Sequence, residues 1–158
     1  MKKIITMIML LTAMAVSAQE WKKEVHSADE LTGIPEVVEY SYSCNEFSMM
    51  VVEGTNGWAI YGPSFKPDHT HVNSSNNFET YATIGFYDTD GKLVEGHRNC
   101  KLELTNMYRM ALMAANKRKN KGQYAVNEYL KNGKGYVRII IPTIQGPDFD
   151  VKIPCMNE

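Results

Sequence analysis

The chain has 158 residues, 44% hydrophobic and 22% charged, which is enough for one domain with a real core. Seventeen Lys and Arg stand against 18 Asp and Glu, so no global field exists to attract nucleic acid or anionic lipid.

The opening residues, MKKIITMIMLLTAMAVSAQE, have the layout of an export leader. Lys2 and Lys3 give the positive start. Ile4 through Val16 form an apolar run of 13 residues, too short to cross a bilayer as a helix. Val16-Ser17-Ala18 offers small residues where a signal peptidase reads, which predicts a signal peptide over 1–18 and a single domain over 19–158. No cysteine lies near the cleavage point to take a lipid, and no later apolar run is long enough for a membrane span. Cleavage removes two lysines and leaves 15 Lys and Arg against 18 Asp and Glu, a net charge of −3. The MKK start with so short an apolar region is of bacterial type, so the expected location is periplasmic or secreted. In that oxidising compartment Cys44, Cys100 and Cys155 predict one disulfide and one buried thiol, with three pairings open.

After a polar lead-in, QEWKKEVHSADELTG, the pattern turns to strands. In IPEVVEYSYSC, Val38, Tyr40, Tyr42 and Cys44 share one parity and Glu39, Ser41 and Ser43 the other, as a strand with one wet face requires. SMMVVE and WAIYGP follow, separated by the turn EGTNG. Ser64 to Asn77 carries Pro, Asp, Ser and Asn without periodicity and reads as a loop of the length at which loops become functional or mobile. ETYATIGFYDTDGKLVEG is a hairpin: Ala82, Ile84 and Phe86 alternate against Tyr81 and Thr83, and Asp88 to Gly91 form the turn. NCKLELT continues as another strand.

The period then changes. Met107, Met110, Ala111 and Ala114 fall at helical spacing in NMYRMALMAANKRKNKG, predicting a helix capped by Thr105 or Asn106 and ended by Gly122. The basic cluster Asn116 to Gly122 then reads as its solvated C-terminal end. QYAVNEYLKNG predicts a second, shorter helix that stops at Gly133. YVRIIIP and DFDVKIPC close the chain as β-branched and alternating strands around a Gly146-Pro147 turn. Short turns between neighbouring strands favour antiparallel pairing. The expected fold is mainly β: an antiparallel two-sheet β-sandwich of seven or eight strands with one or two short helices late in the chain.

The exported leader, the early Trp followed by DELTG, and the late YLKNGKGYVRI…FDVKI together resemble small secreted β-sandwich domains of unknown function from Gram-negative bacteria. The type VI secretion-associated proteins called VasI are a loosely similar group. The resemblance spans the layout of most of the mature chain and implies a sandwich fold and export. It carries over no catalytic residue.

Two patterns raise metal chemistry. In KPDHTHVNSSNN, His69 and His71 are two apart, so an extended segment would aim both at one ion, with Asp68 adding an oxygen. Two ligands fall short of a site, and the neighbours are those of a wet loop, which is the leading reading. Met107, Met110 and Met113 would descend along one helix stripe, where thioethers in an oxidising compartment suit Cu(I), yet Met is also a common core filler. An EF-hand fails in FYDTDGKLVEGH, because Phe86 and His97 would occupy positions that need carboxylates. His97 and Cys100, three apart in a strand, should face opposite ways and form no catalytic pair. Scattered acids such as Asp29, Glu30 and Glu95 have no constellation in sequence. No catalytic, cofactor or metal residue is therefore assigned.

The expected function is a non-catalytic exported binding or assembly module of the cell envelope, contacting an unknown protein or carbohydrate. The alternative is a periplasmic metal-binding protein using His69 and His71 or the methionine stripe. Nine tyrosines, five phenylalanines and two tryptophans favour the first. Exposure of Trp21 or Trp58 beside tyrosines would favour a carbohydrate or protein ligand further.

Overall fold

A computed structural model describes residues 20–44, 47–54, 57–61, 71–72, 78–105, 110–113, 121–143 and 147–157. Ten strands and one helix lie among them: β1 (Lys22–His26), β2 (Val37–Ser43), β3 (Ser48–Val52), β4 (Trp58–Tyr61), β5 (His71–Val72), β6 (Phe78–Tyr87), β7 (Leu93–Thr105), β8 (Met110–Met113), α1 (Lys121–Asn132), β9 (Tyr136–Ile141) and β10 (Phe149–Pro154).

Every strand pairing is antiparallel. Two four-strand sheets, β1-β2-β3-β4 and β7-β6-β9-β10, are joined through the short β8, which pairs with β4 on one side and β7 on the other. Among the described residues they do not close into a barrel. The arrangement is consistent with the expected two-sheet sandwich. β5 shares one edge of β6 with β9: it pairs with the start of β6, at Phe78 and Glu79, and β9 with Thr83 to Tyr87.

Period-two alternation sends one face of each sheet into a single core. Tyr42, Met49, Val51, Trp58 and Ile60 come from the first sheet, and Ala82, Ile84, Phe86, Leu102, Val137, Ile139, Val151 and Ile153 from the second. Ile84 and Val151 are buried, and Tyr40 packs against the cluster half-buried. The helix α1 adds Val126 and Leu130 from one face. Gly133 ends it as expected, its N–H bonding to the Tyr129 carbonyl at 2.8 Å. The Asn127 amide donates to the Gly57 carbonyl at 2.8 Å, which ties α1 to the approach to β4. Trp21 Nε1 donates to the Pro154 carbonyl at 2.8 Å while its ring lies 5.6 Å from Tyr42, so the start of β1 meets the end of β10.

Four expectations need correction. The helix predicted around Met107 to Ala114 is not formed in its described part, because Met110–Met113 is strand β8. A slot between β4 and β7 offers ladder hydrogen bonds on both sides, and tertiary pairing overrides the helical preference of Met and Ala. Lys121 and Gly122 open α1, where they were expected to close a helix. The polar lead-in contains β1, exposed at all five positions. KLVEG and NCKLELT are one 13-residue strand, β7, interrupted by a bulge.

Candidate functional site

The bulge in β7 explains the geometry of the second sheet. Ala82 pairs with Cys100 and Ile84 with His97, so Arg98 and Asn99 together oppose Thr83. Asn99 takes the left-handed conformation, φ 56°, that such an insertion uses and that Asn tolerates. One extra residue reverses the parity, and His97 joins Cys100 on the side of the sheet that faces the core. The expectation that they face opposite ways is overturned. The Cys100 thiol donates toward the His97 carbonyl at 3.7 Å, and burial pushes its pKa up to about 11. That is a packed, protonated thiol, not a nucleophile.

On the outer face the same register sets Gly85 of β6 directly opposite Gly96 of β7. Two glycines side by side leave a floor with no side chains. Tyr87 and Leu93 are also cross-strand partners, and both lean over Gly85. A Cβ built on Gly85 would come within 2.8 Å of the Tyr87 ring, whereas one on Gly96 would meet only Leu93, at 3.7 Å. Gly85 therefore serves close approach, and Gly96 leaves open space. Thr83, Arg98, Arg138 and Ile140 complete a groove of about 390 Å³.

Its walls are fixed by their own contacts. Tyr87 stacks on its register partner Tyr136 with ring centroids 4.8 Å apart and planes 5° apart, and the Lys152 ammonium lies 5.3 Å from the Tyr136 centroid. Arg138 Nε donates to Asp150 Oδ1 at 2.8 Å, and its second nitrogen reaches Oδ2, the two-pronged geometry suited to a guanidinium. The guanidinium holds the Asp150 carboxyl below the usual carboxylate range, against a smaller opposing effect of burial. Both partners remain about one-third exposed, at 35% and 38%, so the pair orients the wall more than it stabilises the fold. The outcome is a small, mostly apolar recess with two arginines at its rim and exposed Leu93 and Val94 beside it.

A second concavity of about 340 Å³ lies between α1 and the turn end of β6 and β7, lined by Phe86, Glu95, Ala125, Glu128, Tyr129 and Asn132. Two carboxylates line it. Glu95 is engaged: its Oε1 lies 2.8 Å from His97 Nε2, out of line for a hydrogen bond, so attraction depends on protonation of the imidazole. The His97 ring meets Phe86 edge-on at 6.1 Å. Tyr129 has its hydroxyl within reach of the Tyr87 and Lys134 carbonyls, 3.0 and 3.2 Å away, and donates to one at a time. Burial raises its pKa.

Among the described residues the sequence-predicted candidates are not brought together. His69 and Met107 lie outside the described residues, and His71 opens β5 at the register position of Glu79. The Glu79 carboxylate is buried with Lys101 Nζ at 2.6 Å, so a cation already sits on that row of the sheet. Met110 and Met113 lie on a strand, which removes the helical spacing that aligned them. Among the described residues no three His, Cys, Asp or Glu side chains gather as a metal site. Trp58 is buried, and Trp21 is committed to Tyr42 and Pro154, so neither tryptophan forms an exposed platform. Cys44, Cys100 and Cys155 are free thiols, in contrast to the expected disulfide. Asp29 caps its own turn, and Glu95 and Glu128 converge only on the second concavity. The groove itself was not anticipated; its signal was a glycine on each side of the Asp88–Gly91 turn, which the register aligns.

Comparison with protein-family models, curated proteins and solved structures finds no match, so the site rests on its own geometry. Among the described residues no helix is long and apolar enough to cross a membrane.

Proposed function

We propose that the chain is a non-catalytic binding module of the bacterial cell envelope, exported by its leader and contacting a protein partner through the groove over Gly85 and Gly96. One observation carries this reading: an apolar recess with an open glycine floor and an arginine rim, held in shape by the Tyr87–Tyr136 stack and the Arg138–Asp150 pair. Such a recess accepts an aliphatic side chain and a neighbouring carboxylate. A sugar held by stacking would need a free aromatic face in the groove. Here Tyr87 stacks on Tyr136, and Tyr136 in turn lies under Lys152. That occupancy favours a protein over a carbohydrate as the partner. The resemblance to small secreted sandwich domains implies export, which this reading requires.

The test has two parts. Cell fractionation with N-terminal sequencing should find the chain outside the cytoplasm, beginning at Gln19. A photo-crosslinking residue at Thr83 should then give discrete protein adducts, and one at exposed Ser43, on the other sheet and at the end of β2 away from the β1–β2 loop, should not. A cytoplasmic chain that retains Met1, or equal crosslinking from both positions, would overturn the proposal.

A further inference from the structure

The loop between β1 and β2 is a small hairpin in its own right. Asp29 and Ile34 form an isolated bridge, the Asp29 N–H bonding to the Ile34 carbonyl at 2.9 Å. The Asp29 carboxylate accepts the Leu31 N–H at 2.9 Å and lies 3.4 Å from the Thr32 nitrogen. The Thr32 side chain and these backbone groups hold its pKa below the usual value. Gly33, at φ 71°, supplies the left-handed residue that closes the turn. The hairpin is therefore built by its own bonds, and it holds Leu31 out at 95% exposure, with Ile34 at 55% and Val25 of the adjoining strand at 54%. An isolated exposed leucine is ordinary; one at the apex of a turn with its own capping bonds, among two further exposed aliphatics, marks a contact surface. Residues 27–36, SADELTGIPE, carry three acids and no lysine or arginine.

This finger and the groove match in polarity and in charge. The finger offers an aliphatic tip flanked by Asp29, Glu30 and Glu36. The groove offers an apolar recess with Arg98 and Arg138 at its rim. Arg138 is engaged by Asp150, which leaves Arg98 to meet an incoming carboxylate. Leu31 does not fill the groove of its own chain, since it is almost fully exposed. We infer that the groove over Gly85 and Gly96 takes the Leu31 finger of a second copy of this chain. The contact joins two different surfaces, so a pair of copies retains one free groove on the first and one free finger on the second, and the association is head-to-tail and extends. A hairpin tip buries less than a standard interface, so the contact is weak and concentration-dependent. It rests on the reading of the groove as a recognition surface and names its occupant.

The experiment is sedimentation velocity on the mature chain from micromolar to about 1 mM, a range that reaches weak specific contacts. Leu31→Ser spoils the finger and keeps the groove. Gly96→Val fills the groove and keeps the finger, with room for the new Cβ. Wild type should form a concentration-dependent series of dimers and longer species. Each variant alone should stay monomeric, with affinity lowered roughly tenfold to a hundredfold by loss of the buried leucine contact. An equimolar mixture of the two should give a one-to-one dimer and nothing larger, because one finger and one groove remain. A wild-type monomer throughout, an assembly indifferent to both substitutions, or a mixture that stays monomeric would each overturn the inference. Unchanged far-ultraviolet dichroism and melting of both variants excludes misfolding as the cause. Crosslinking from Thr83 to other proteins, with no self-association, would remove the second copy as the occupant and leave the binding module standing.

Discussion

Leu130→Ala is the sharpest test of the packing that holds the groove's sheet in place. Leu130 lies on the buried face of α1 with no exposed surface, and its carbonyl accepts the Met156 N–H at 2.8 Å. Truncation removes three carbons from the shared core and leaves a cavity, because β6, β7 and β9 cannot collapse onto the shortened side chain without breaking their ladders. Such losses cost about 2–5 kcal/mol, a large share of the roughly 5–15 kcal/mol that holds a domain of this size. With a urea slope of about 2 kcal/mol per molar, the unfolding midpoint should fall by roughly 1–2.5 M at unchanged slope. Glu128→Ala, on the exposed side of the same helix, is the control and should change stability by no more than about 0.5 kcal/mol. Equal midpoints for the two variants would show that α1 does not cover the core, and the reasoning would fail.

Other consequences follow from single residues. Gly135→Ala should destabilise by at least about 1–3 kcal/mol in the same assay, because Gly135 has φ 101° and a Cβ there would overlap the Tyr87 carbonyl oxygen; Gly96→Ala should be neutral or slightly stabilising. The Asp150 pKa is lowered in the fold, so its contribution is present above the unfolded value and is lost as pH falls through the folded one; Asp150→Asn should therefore weaken stability near neutrality and flatten its decline in acid. Alkylation with iodoacetamide near neutral pH should label half-buried Cys44 first and leave Cys100 unlabelled until the chain unfolds, since burial holds its thiol protonated to about pH 11; equal labelling rates would contradict the packing.

Where one face of a strand is dry, the sequence states it openly. Tyr40 and Tyr42, Ala82 to Phe86, and Val151 and Ile153 each alternate, and each places its apolar parity inside. β1 was illegible because KKEVH is wet on both faces and carries no period; its place comes from pairing with β2. Met110 to Met113 was misread because a four-residue apolar run fits a helical and an extended period equally well, and only β4 and β7 decide. The bulge at Asn99 was illegible for a related reason: an inserted residue breaks the parity by which strands are recognised. The groove depends on that register. Gly85 and Gly96 are separated by a hairpin and become a floor only when the turn aligns them. The histidine and methionine patterns, by contrast, stood out in sequence because their chemistry is conspicuous; His69 and Met107 lie outside the described residues, and strand β8 removes the helical spacing of Met110 and Met113.

The most direct measurement is an amide NMR series on isotope-labelled chain spanning residues 19–158, from dilute solution to about 1 mM. Signals of Gly85, Gly96, Arg98 and Ile140 should shift or broaden together with those of Leu31 and Ile34, while core amides such as Ile139 and Ile153 stay still. A spectrum unchanged across that range, or changes that spare either the groove or the finger, would contradict the account.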